Sequence, residues 1–186
     1  RSITTRKTTL PKFRHNGVTH TPLSGIPNTP WNATKTSGGS SGGAAVAAAC
    51  GMGWLHLGSD AGGSIRIPAS FSGVVGFKPS PGLFSSLSSM GPLTRSIDDA
   101  ALMTRVLAAA ALHNTADWHN VGRDAAERAL YEPNLSKRKL RIAVSDSING
   151  HKLSPSAQKI WNAHKKHFKT LGQVTNIDLE IDGVTE

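Results

Sequence analysis

Hydrophobic and polar positions change their rhythm several times along this chain. Residues 1–35 hold no lasting period and are rich in Thr, Pro, Gly and Asn, which predicts mostly loop with short extended pieces. Residues 44–49 are almost pure alanine and valine, a pattern that predicts a buried helix thin enough for close packing. Residues 53–58 read as a short buried strand. From 97 to 112 the apolar residues return at helical spacing, with Ser96 in position to cap and Asp98 and Asp99 at the positive end. Residues 115–135 predict irregular or weakly helical structure.

The C-terminal part has a clearer pattern. Residues 140–145 predict a strand, and Ser154-Pro155 opens a helix with serine as N-cap and proline at the first helical position. Ala157, Ile160, Trp161, His164, Phe168 and Leu171 recur at helical spacing, and Gly172 is placed to end that helix. Residues 174–181 alternate as a further strand. This β-α-β order predicts an α/β fold with layered helices and sheet. No internal repeat or low-complexity tract interrupts it.

Chemistry concentrates in two glycine-serine loops. The first is Gly38-Gly39-Ser40-Ser41-Gly42-Gly43, leading into the alanine-rich helix, where free N–H groups gather. The second, Ser59-Asp60-Ala61-Gly62-Gly63-Ser64-Ile65-Arg66, follows the short strand, the usual place for an α/β site. Gly62 and Gly63 can adopt angles closed to other residues, so that consecutive N–H groups converge beside the Ser64 hydroxyl. A tetrahedral intermediate needs such fixed donors, each contributing roughly 3–4 kcal/mol. Asp60 and Arg66 carry opposite charges that can brace the turn as a bidentate pair. An ordinary surface turn is the plainer reading of the second loop alone. A phosphate loop is excluded by the lack of Gly-Lys-Ser/Thr, and an α/β-hydrolase elbow by the lack of Gly-x-Ser-x-Gly at Ser40 or Ser64.

Taken in order, Thr36-Ser37-Gly38-Gly39-Ser40-Ser41-Gly42-Gly43, the stretch from Gly58 through Ser64 to Ala69, and Gly73-Val74-Val75-Gly76-Phe77-Lys78-Pro79 resemble the amidase signature family. The likeness extends upstream through Asn28-Thr29-Pro30-Trp31-Asn32 and downstream from Met90 to Ala101. It implies helices around a mixed β-sheet, with residues 1–186 forming part of a single domain. Ser64 aligns with the family's nucleophile, and Ser40 with the serine that follows a cis peptide bond and bridges nucleophile and base. The two are 24 residues apart, as in the family. Ser41 aligns with a supporting serine, and the N–H groups of Ala61, Gly62, Gly63 and Ser64 with the oxyanion hole. The two hydroxyls are expected to meet over that cradle.

The family's general base is a lysine further upstream than the 39 residues before Ser40, and Lys7, Lys12 and Lys35 do not match it. Lys35 reads as a solvated loop residue and Lys78 as structural. A serine without a base is a poor nucleophile, so this segment alone is expected to be nearly inert. The chain is accordingly expected to be a fragment of a longer domain.

Composition adds exclusions. The 21 basic and 12 acidic residues of the 186 give a net charge of +9, but the basic residues are scattered and no nucleic-acid motif or set of stacking aromatics accompanies them. No apolar run reaches the roughly 18 residues of a membrane span. Cys50, the single cysteine, allows no internal disulfide and is expected to be a small buried hydrophobe. His164 and His167 have a spacing some metal sites use, but the lysines beside them repel a cation, and His56 reads as a buried residue rather than a general base. Ile67, Phe71 and Phe77 are expected to pack in the core. No cofactor and no metal are expected.

These readings predict an amidase that cleaves a carboxylic amide C–N bond through an acyl-enzyme on Ser64, with Ser40 relaying the proton. The expected partner is a small-molecule amide, with no specific nucleic acid and no membrane; a homo-oligomer is compatible, and the expected location is cytoplasmic. Two other functions fit the same residues. One is a glutamine-cleaving amidotransferase A-type subunit, and the other is a non-catalytic remnant of the fold.

Overall fold

The computed structural model describes residues 6–80, 88–111 and 139–182. The chain divides into two compact units, Arg1–Glu132 and Pro133–Glu186. The expectation for residues 115–135 lies outside the described residues.

In the first unit, a loop segment leads to the hairpin β1 (Asn28–Thr29) and β2 (Asn32–Thr36), then to helix α1 (Gly42–Ala49) and strand β3 (His56–Asp60). Helix α2 (Arg66–Ser72), strands β4 (Val75–Gly76) and β5 (Ser89–Thr94), and helix α3 (Ile97–Ala111) complete it. The sheet has the order β3-β5-β4 and is antiparallel, with Gly58 opposite Gly91 and Gly76 opposite Leu93. Ala44, Ala45, Ile65, Ala69 and Leu93 form the buried cluster where α1, α2 and β5 meet, with Val74 packed against it. All but Leu93 come from the loops' own helices or their edges, so the core lies directly beneath the glycine-serine turns.

Helix ends are held by specific donors. The Ser96 hydroxyl accepts the Asp99 N–H at 3.1 Å and donates to the Asp99 carboxylate at 2.7 Å, a reciprocal cap for α3. At the C-terminal end of α2, Gly73 closes the helix with φ 67°. The Trp31 indole donates to the Ser72 carbonyl at 2.7 Å and the Thr29 hydroxyl to the Phe71 carbonyl at 3.0 Å. The hairpin therefore satisfies carbonyls that the last turn of α2 leaves open.

The structure corrects several local expectations. Strand β3 starts at His56 rather than at residue 53, because Gly51 and Gly53 turn the chain with φ 71° and 134°. Cys50 sits at the C-terminal end of α1 and is exposed, not buried: the helix has ended and the chain is turning away. Phe71 and Phe77 are 51% and 45% exposed, so neither belongs to the core of the described residues.

The second unit contains a parallel pair, β6 (Leu140–Val144) and β9 (Gly172–Asn176), joined through helix α4 (Pro155–Lys165). A small hairpin, β7 (Ser147–Ile148) and β8 (His151–Lys152), precedes the helix. Ser154 caps α4 by accepting the Ala157 N–H, and Pro155 follows it. The helix gives way to a 3-10 segment at Lys166–Thr170. Gly172 is not a helix stop but the first residue of β9. A Cβ there would collide with the Leu140 carbonyl oxygen, so strand pairing itself demands glycine. Asp146 accepts hydrogen bonds from the Trp161 indole and Lys165, and both partners hold its carboxyl below the usual range. No described helix is long and apolar enough to cross a membrane.

Candidate active site

The two glycine-serine loops lie against each other in the first unit. The Ser41 N–H donates to the Ser64 carbonyl at 3.1 Å. The Ser41 hydroxyl lies 3.3 Å from the Ser59 N–H and 3.4 Å from the Ser59 carbonyl, joining the start of α1 to β3. Ser40 is 1% exposed, and the peptide bond before it, Gly39–Ser40, is cis. Ser64 is half-buried at the turn into α2.

Asp60 organises the second loop. It ends β3 with a fully buried side chain and gathers five donors: the N–H groups of Gly63, Ile65 and Arg66, and two nitrogens of the Arg66 guanidinium. The guanidinium grips it at both oxygens, at 3.0 and 2.9 Å. Burial alone pushes the Asp60 carboxyl up, but Arg66 and the three N–H groups outweigh it and hold the carboxyl far below the usual range. The carboxylate therefore stays charged and folds residues 61–65 around itself. Gly63 completes the turn at φ 120°, where a Cβ would also meet Ile67 at 2.8 Å.

That arrangement divides the four main-chain donors. The Gly63 N–H is taken by Asp60 at 2.7 Å. Those of Ala61, Gly62 and Ser64 carry no hydrogen bond among the described residues, and Ala61 and Gly62 are exposed. The sequence presents the four alike, because nothing in a Gly-Gly pair tells which N–H the preceding aspartate will claim.

The Ser40 hydroxyl is buried and makes no hydrogen bond among the described residues, so it is not hydrogen-bonded to the Ser64 hydroxyl in this structure. Catalytic contacts of this kind are often long before substrate binds. Lys78 donates to the Pro79 carbonyl at 2.8 Å, and Lys35 is exposed. His56 is partly buried, its Nε2 is unpartnered among the described residues, and burial lowers its basicity against a smaller opposing contact at Gly53. No three His, Cys, Asp or Glu side chains cluster as a metal site among the described residues.

This geometry accompanies a match between residues 3–186 and the family model described as Amidase. The chain belongs to the amidase family. Among its relatives is the A-type subunit of glutamyl-tRNA(Gln) amidotransferase from Picosynechococcus sp., 34% identical over 99% of this chain and 38% of that protein. The crystal structure of the subunit of the same name from Thermotoga maritima superposes with a TM-score of 0.74 at 30% identity, covering 94% of this chain and 39% of that one. The 6-aminohexanoate cyclic dimer hydrolase complexed with its substrate gives 0.71 at 27% identity, over 92% and 38%. The chain thus spans less than two fifths of the length of these amidase-family relatives.

Proposed function

We propose that the full-length protein containing this segment is an amidase that hydrolyses a carboxylic amide through an acyl-enzyme on Ser64. The observation that carries the reading is the turn built on Asp60, which sets Ser64 beside unclaimed main-chain N–H groups and against the buried Ser40 loop. In this reading the Ser64 oxygen attacks the amide carbonyl while its proton passes through Ser40 to the lysine that the family resemblance implies outside this sequence. The N–H groups of Ala61, Gly62 and Ser64 stabilise the oxyanion, and Gly63 serves through its conformation. Breaking the C–N bond releases ammonia or an amine, the leaving nitrogen taking back the proton. Water then cleaves the Ser64 ester to give the carboxylate and restore the hydroxyl.

Replacing Ser64 by Ala in the full-length protein should cut turnover of a simple aromatic or aliphatic amide by on the order of 10⁶. Turnover at the wild-type rate in that variant would refute the assignment. A second reading is favoured by the names of the relatives: an amidotransferase A-type subunit that cleaves glutamine. Glutaminase activity that rises when charged tRNA is supplied together with a partner subunit would select it over a free-standing amidase.

A further inference from the structure

Thr19 stands in a loop whose sequence gives no hint of a role, 21 residues before the serine it contacts. It is completely buried. Its N–H donates to the Gly38 carbonyl at 3.1 Å. Its hydroxyl donates to the Ser40 carbonyl at 3.2 Å and accepts the Gly42 N–H at 3.1 Å. One residue thus fixes the main chain before Ser40, at Ser40 and after it.

The fit leaves no slack. A Cβ on Gly39 would lie 2.7 Å from the Thr19 nitrogen, and one on Gly42 would lie 2.5 Å from the Thr19 hydroxyl oxygen. The Ser40 hydroxyl makes no hydrogen bond of its own among the described residues, so its oxygen is placed through the backbone that carries it. A threonine hydroxyl has one hydrogen to give and lone pairs to receive with, and here it does both in the same place. Serine can do the same, whereas valine has the same shape and can do neither.

We infer that Thr19 is a positioning residue for Ser40, fixing the backbone that carries the relay hydroxyl. The inference rests on the reading of Ser40 and Ser64 given above. Without the Thr19 hydroxyl the Ser40 carbonyl and the Gly42 N–H lose their partners, the loop shifts, and proton removal from Ser64 slows while ligand binding is untouched. Displacements of about 1 Å at such sites cost on the order of a hundredfold in rate.

The test is capture of Ser64 by a fluorophosphonate in the full-length protein. The Ser64 oxygen bonds to phosphorus, fluoride leaves, and the Ser64 proton departs through Ser40. Thr19→Val is expected to lower the maximal capture rate about ten- to a hundredfold with the probe's binding constant unchanged, and Thr19→Ser to stay within about threefold of wild type. Capture by Thr19→Val at the wild-type rate overturns the proposal. So does equal impairment of Thr19→Ser, which would assign the effect to the lost methyl group. Thr19→Ser keeps both hydrogen bonds and so decides the matter even if Thr19→Val does not fold. A wild-type protein in which Ser64 is never captured would instead bring down the reading of Ser64 itself, an outcome distinct from either.

Discussion

Asp60 shows how much one side chain can decide. Its carboxylate is fully buried, yet five donors surround it, and three of them are the backbone of the loop that carries Ser64. Removing the charge leaves those donors facing a neutral group, so Asp60→Asn should destabilise the fold by on the order of 3 kcal/mol, measured by urea unfolding. Arg66→Gln should cost less, because its side chain is 56% exposed and Asp60 keeps its three N–H partners. The pH dependence has a definite sign. The carboxyl titrates far below its unfolded value of about 3.9, so its contribution is whole at neutral pH and decays as pH falls below that value toward the folded one. Asp60→Asn should abolish that part of the acid-side loss; an unchanged acid limb would contradict the assignment.

Among the elements, α2 explains why a tryptophan stands exposed upstream of the first loop. Trp31 is 69% exposed, so it buries little, but its indole N–H holds the last carbonyl of the helix that follows Ser64. Trp31→Phe should therefore cost about 1 kcal/mol, the size of one hydrogen bond rather than of a lost core aromatic, as read by chemical unfolding. Elements with a strong local signal are legible in the sequence: α1 from its alanines, α3 from Ser96 with Asp98 and Asp99, and α4 from Ser154-Pro155. What stays hidden depends on tertiary approach. Gly172 looks like a helix stop until β6 is seen against it, and Thr19 looks like any loop threonine until the Ser40 loop lies over it. The charge pairing of Asp60 with Arg66 can be read from spacing, whereas the claim of Asp60 on the Gly63 N–H cannot.

For the whole molecule, family membership and the local site stand on different grounds. The match to the amidase family runs over residues 3–186, while the site rests on contacts within residues 19–66 of the first unit. Everything proposed for the site requires that Ser64 form the covalent bond to the acyl group. Acid quenching of the full-length protein during turnover of benzamide, followed by peptide mass mapping, tests it directly. The prediction is a benzoyl ester on the peptide containing Ser64, absent from Ser64→Ala. Steady turnover with the acyl group on another residue, or undiminished in Ser64→Ala, would contradict it.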